Sequence, residues 1–226
     1  MPDEIDSSLL AARRRLEQAN EAVQRIIRAS ATGKVDWQTW AAALDAKLEA
    51  EREIARLSGQ PHAVDLDLGL EWDIGAPLPH LLASEGRTFL VFYLKDTPAG
   101  WDGTWVTVVN PADDHTVRLG VAQFINVEAV KLGGPNDEAI AGHPLHGKGL
   151  RPYAAHTVVN SLWITTQEQI NSVHPMHRGG WHQQLNHYVF CFHDSTFECL
   201  ARDVRIEERV GSPRQVLHDL TNDLLH

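Results

Sequence analysis

The feature that most constrains this chain is a change of hydrophobic period near residue 61. Before it, apolar residues recur every three to four positions. After it they alternate, or run in short blocks rich in Val, Ile, Phe, Trp and Thr between Gly, Pro, Asn and Asp. A period of 3.6 buries one stripe of a helix and a period of two buries one face of a strand, so neither pattern suits the other element. The spacing therefore predicts an α+β protein: an N-terminal helical hairpin, then a strongly curved antiparallel β-sheet or small barrel, then a C-terminal helix. Residues 1–60 read as the hairpin, a packing or oligomerisation appendage, and 61–226 as the β domain. No βαβ alternation is visible, which disfavours a doubly wound nucleotide-binding fold.

Within the first part, Asp6, Ser7 and Ser8 offer N-cap oxygens, and Leu9, Leu10, Leu16, Val23, Ile26 and Ile27 mark a stripe ending near Ala29. Asp36 caps a second helix, in which Trp37, Trp40, Leu44, Leu48 and Ile54 share a face, before Gly59 and Pro61 stop it. The seam between the helices needs cover, from the rest of the chain or from a second copy. Strands are expected near 65–72, 88–95, 104–109, 116–131 with a bend near Asn126, 155–165, 186–193 and 196–208. A helix then follows, with Ser212 as cap, Pro213 at its first position and Val216, Leu217, Leu220 and Leu224 as its buried stripe.

The segment HYVFCFHDSTFECLA can be read in more detail. A two-residue turn at Asp194-Ser195 sets Phe192 opposite Phe197 and Phe190 opposite Cys199, collecting Tyr188, Phe190, Phe192, Phe197, Cys199 and Ala201 on one core face. The other face carries His187, Cys191, His193, Thr196 and Glu198, with His193 diagonal to Glu198. That polar face either turns to water or lines a cavity. The two cysteines fall on opposite faces, so no disulfide joins them.

Charge narrows the partners. A net charge of −10 works against phosphate backbones and anionic lipid, so neither nucleic acid nor a membrane is expected. No apolar run is long enough to span a bilayer, MPDEIDSSLL lacks the layout of a secretory signal, and only two cysteines occur; these point to the cytoplasm.

Eight of the thirteen histidines lie between His143 and His193. His-Pro-Leu-His at 143–146 recurs as His-Pro-Met-His at 174–177, which makes His143, His146, His174, His177 and His182 candidate ligands for a divalent metal, zinc or iron. The bland alternative is a set of surface-loop histidines. For acid–base work the candidates are His193, Glu198, Glu138 and His156, and for substrate binding Trp181, Lys148, Arg151 and Asn160. The Gly- and Pro-rich loop before Tyr153 has the length of a lid. No nucleophile elbow, phosphate loop or dinucleotide fingerprint is present.

Two functions are compatible with these residues. One is a small-molecule enzyme with a His-rich pocket on the curved sheet, either activating water or dioxygen on a metal or using His and Glu as general acid and base. The other is a non-catalytic ligand-binding or interaction module that forms a homo-oligomer through its N-terminal helices.

Overall fold

A computed structural model of the chain describes residues 2–30, 33, 36–96 and 115–225. The strand expected at 104–109 lies outside them. The residues form two compact units, one of Met1–Val64, Ala141–Arg151 and Val158–Leu162, the other of Asp65–Ile140, Pro152–Thr157 and Trp163–His226.

The first unit is built on α1 (Pro2–Ser30) and α2 (Trp37–Leu57). Asp36 caps α2 as expected, its carboxylate accepting from the Gln38 and Thr39 amides. Helix α1 begins earlier than expected, so Asp6, Ser7 and Ser8 lie inside it rather than at its N-cap. The seam also differs from the expected one. Its buried residues are Ala12, Ala19 and Val23 against Ala43, Ala50 and Ala55, while Trp40, Leu44, Leu48 and Ile54 are only half buried and Trp37 is 75% exposed. Small side chains let two helices approach closely, which displaces bulky neighbours to the flanks.

The remaining elements are β1 (His62–Asp65), β2 (His80–Ala83), β3 (Arg87–Tyr93), β4 (Val117–Gly133), β5 (Ala155–Val159), α3 (Leu162–Asn171), β6 (Asn186–Cys191), β7 (Thr196–Gly211) and α4 (Pro213–Leu225). The strands form one antiparallel sheet in the order β1-β5-β6-β7-β4-β3-β2. It is open, so the small-barrel alternative does not apply. Its edge strands are only four residues long, which limits pairing beyond them.

The expected strand at 65–72 is replaced by β1 and an irregular stretch, held to the sheet by Leu66 N–H donating to Ala155 O and by a bridge of Trp72 to Leu94. Strand β2, preceded by Pro77 and Pro79, has no counterpart among the expected strands. The strand expected at 155–165 ends at Val159, because Asn160 takes a left-handed φ of 56° and the apolar block Leu162-Trp163-Ile164 opens a helix. A short apolar run has no periodicity that separates strand from helix. The bend near Asn126 is present. That residue has a φ of 53°, and the register of β4 against β7 shifts between Val127 and Ala129.

One face of the sheet carries the main core. Phe92, Phe124, Phe190, Phe192 and Phe197 pack with Trp72, and each phenylalanine is under 2% exposed. Gly120 makes room for it, since a Cβ there would run into the Phe92 ring. Helix α4 covers part of the other face, packing Val216 and Leu220 on Phe89, Val91, Leu119 and Val121, and Ser212 caps it.

The β6–β7 hairpin confirms the expected faces and corrects the turn. Phe190 stands opposite Phe197 and Cys191 opposite Thr196, so a four-residue connection replaces the two-residue turn, closed by Phe192 N–H donating to Ser195 O at 2.8 Å. The register thus differs by two residues. A shift of two returns every side chain to its own face, which is why the core survives.

Candidate functional site

On the polar face, the two-residue shift decides which acid meets which base. With Glu198 opposite Val189, its diagonal histidine is His187 rather than His193. Glu198 Oε2 lies 2.9 Å from His187 Nε2, and Oε1 lies 2.5 Å from Lys131 Nζ on the adjacent strand β4. His187 and Glu198 are both buried. The Trp163 ring of α3 meets His187 edge-on at 5.3 Å, with Lys131 Nζ 5.8 Å from its centroid. A buried carboxylate shared by a lysine and an imidazole is satisfied on both oxygens.

His193 instead meets residues of the loop after β4. Asp137 N–H donates to His193 O at 2.9 Å, and Thr196 Oγ1 donates to Pro135 O at 2.8 Å, so the loop is tied to the end of the hairpin. The Gly134–Pro135 peptide is cis. Within the loop, the Glu138 amide donates to Asp137 Oδ1 and the Ala139 amide to Asn136 Oδ1. This leaves Asp137 Oδ2 aimed at His193 Nδ1, 2.9 Å away.

Tyr153 completes the group. Its hydroxyl donates to the same Asp137 oxygen in a short hydrogen bond, lies 3.2 Å from His193 Nδ1, and its ring stacks on the imidazole at 6.3 Å between centroids. Tyr153 holds a left-handed φ of 56°, a strain of roughly 1–2 kcal/mol that persists only where surrounding contacts impose it. The Tyr153 hydrogen bond, followed by that of His193, holds the Asp137 carboxyl below its ordinary value even though burial opposes this. The same bond, with burial and the Asp137 charge, pushes the Tyr153 phenol up to about 12. Asp137 is therefore ionised and Tyr153 neutral near pH 7. Because the phenol proton points at Asp137, His193 Nδ1 carries a proton of its own towards the same carboxylate, and the Nε2 lone pair is left on a side chain that is 41% exposed, 3.9 Å from Asp194 Oδ1.

The echo of His-Pro-X-His has a structural cause. In both copies the leading imidazole Nδ1 accepts a backbone N–H two residues on, Leu145 to His143 and Met176 to His174, each at 3.1 Å. In both, the carbonyl of that histidine accepts from the residue three on, at 2.9 Å. Each copy is one turn in which histidine plays the part that Asn or Asp usually plays. His143 is buried in its turn, whereas His146 and His174 are exposed. His177 and His182 converge on a single carboxylate, Glu168 of α3, at 2.9 and 3.1 Å. Burial works to raise the Glu168 pKa, but the hydrogen bond and charge of His177 and the charge of His182 outweigh it and leave it lowered. Among the described residues no group of three or more His, Cys, Asp or Glu side chains could hold a metal ion. The Nδ1 atoms of His143 and His174 are thus engaged in turns, and the rings of His177 and His182 lie against Glu168.

Each of the other candidates has its own setting. Glu138 is exposed and enters the Asp137 group only through its amide. His156 is fully buried, with Nε2 3.4 Å from Asp65 Oδ1. Trp181 opens a 3-10 turn, Trp181–Gln184, on the approach to β6. Lys148 supplies its carbonyl to the Ala63 amide, and Arg151 Nη1 lies 3.7 Å from Asp45 of α2. Asn160 sits in the turn that ends β5 and so does not share a strand face with His156. The lid expected before Tyr153 is pinned where it meets α2: Arg52 donates to Ala63 O and Gly149 O at 3.0 and 3.1 Å. Cys191 and Cys199 are buried free thiols, both pushed up to about 12, Cys191 by burial and then by the Glu198 charge, Cys199 by burial. Neither is a nucleophile at neutral pH.

Sequence reasoning named His193 and Glu198 but missed their partners. Asp137 lies in a loop with no strand pattern to place it, and Tyr153, His187 and Lys131 carry no spacing that ties them to either group. No family model, curated protein or solved structure matches the chain.

Proposed function

We propose that the protein is a small-molecule enzyme in which His193 Nε2 is the general base. The observation that carries this reading is the orientation of one imidazole: Nδ1 is held 2.9 Å from Asp137 Oδ2 while the ring stays 41% exposed. In such a dyad the base takes a proton from water or directly from substrate. The carboxylate then stabilises the imidazolium, and the proton returns from Nε2 to the leaving or product atom. Tyr153 neither gives nor takes that proton, since a phenol pushed up to about 12 stays neutral; it positions Asp137. With both thiols buried and protonated, the base has no cysteine to activate, which favours water or the substrate itself as its target.

The test needs no substrate. In imidazole nitrogen NMR, neutral His193 is expected to carry its proton on Nδ1, and to lose that preference in Asp137→Asn. A neutral wild-type imidazole protonated on Nε2 would end the proposal. Once an activity is found by screening hydrolytic and proton-transfer substrates, His193→Gln should lower kcat by about 10²–10⁴-fold.

A second reading has its own observation. Ile5, Leu10 and Ile27 of α1 and Trp37 of α2 are each 45% exposed or more. A second copy covering them would make the helical hairpin an association module. Sedimentation of the wild type against Trp37→Gln tests it: a concentration-dependent dimer lost in the variant supports it, and a monomer at all concentrations removes it.

A further inference from the structure

The sheet unit holds a cleft of about 520 Å³ in a part of the molecule that the dyad does not use. It lies on the face that α4 packs against, where the apolar contacts of the helix are made with β3 and β4. The same rungs continue onto β7, where they end in Arg205, Glu207 and Arg209 rather than in apolar side chains. One rung crosses the cleft, with Phe89 opposite Gln123 and Gln123 opposite Arg205.

The three arginines of the lining differ in what already engages them. Arg87 Nη1 donates to the Asp223 carbonyl at the end of α4, at 2.6 Å, and so fixes one rim. Arg209 Nε lies 2.5 Å from Glu207 Oε1. Arg205 has no hydrogen bond or ion pair among the described residues, and the neighbour across the strand pair is a neutral amide, not a carboxylate. In a chain of net charge −10, a cationic fork beside an amide donor is a local reversal of sign.

We infer that this cleft binds a small organic anion, a carboxylate or a phosphate monoester, held by Arg205 and Gln123 with its apolar part towards Phe89. A guanidinium presents two parallel N–H groups that match the two oxygens of either anion, and the Gln123 amide adds a further donor. The volume lies within the range of small-ligand sites. The Glu207 and Asp223 carboxylates on the rim set a limit: a second anionic group on the ligand would meet repulsion there. This assignment does not rest on His193.

Calorimetric titration of the full chain with phenyl phosphate, benzoate and the neutral benzyl alcohol tests it. Saturable binding of phenyl phosphate or benzoate at one site per chain is expected, with none of benzyl alcohol; which of the two binds tells phosphate from carboxylate. Arg205→Ala should weaken that binding about tenfold or more, the value of a lost charge-assisted contact. Arg202→Ala, an equal loss of charge from an exposed position on the same strand, should leave it unchanged. Equal weakening in both variants would mean diffuse attraction and overturn the site, as would the absence of saturable binding of either anion.

Discussion

Replacing Gly149 with alanine tests whether the segment before Tyr153 is pinned or free. Gly149 has a φ of 88°, and a Cβ there would lie 2.5 Å from Ala63 O and 2.7 Å from Arg52 Nε, and would press on Arg52 Cγ as well. Two costs add. The left-handed backbone costs an L-residue roughly 1–2 kcal/mol. The Arg52 side chain must also leave, breaking its bonds to Ala63 O and Gly149 O; charge-assisted bonds contribute about 1.5–3 kcal/mol each when fully formed. Arg52 is half buried, so the lower figure applies, and the total is about 4–5 kcal/mol. Gly147 provides the control, because its φ is 70° and a Cβ added there would meet nothing within 4 Å, so Gly147→Ala should cost only the backbone part, about 1–2 kcal/mol. Urea unfolding of both variants, read beside amide exchange at Ala63, whose N–H donates to Lys148 O, gives the difference. If the two variants agree within about 0.5 kcal/mol, Arg52 does not pin this segment and the reasoning fails.

The Asp137 carboxyl is depressed in the folded state, so its contribution to stability is complete above the ordinary carboxylate value of 3.8 and is lost as pH falls through the native value. Acid unfolding should therefore separate wild type from Asp137→Asn near pH 5 and bring them together as pH drops towards about 2; a gap independent of pH would contradict the ionised Asp137. Spectrophotometric titration should find one tyrosine, absent in Tyr153→Phe, that ionises near 12 while the fold persists. Cys191 and Cys199 should resist a thiol reagent at pH 8 until the protein is unfolded, and rapid labelling of the native protein would show that β6 and β7 open. Phe190→Ala should cost about 3–5 kcal/mol in denaturant unfolding, since the ring is wholly buried among Trp72, Phe92, Phe124 and Phe197.

Much of the architecture was legible because it depends on periodicity. The two N-terminal helices, the long bent strand through Asn126, the β6–β7 hairpin faces and the α4 stripe each follow from which side chains must be buried together. Where the pattern was short the reading went astray: Leu162-Trp163-Ile164 reads as well for strand as for helix, and β2 is too brief to announce itself. The candidate site was legible only in part. His193 and Glu198 stood out as ionisable groups on a strand face, but a strand pattern repeats every two residues and is blind to a shift of two.

The sequence by itself determined the α+β order, the faces of the central hairpin and the separation of the two cysteines, because hydrophobic alternation specifies a face. Only the tertiary structure decided the partners. A two-residue register change gave Glu198 to His187, and a loop sixteen residues from Tyr153 brought Asp137 to His193. It also gave the repeated His-Pro-X-His its shape, a pair of turns each closed on the leading imidazole. Hydrogen bonds act over about 3 Å and depend on angle, so they are settled by where the backbone has already been placed, and that is information no local pattern of residues contains.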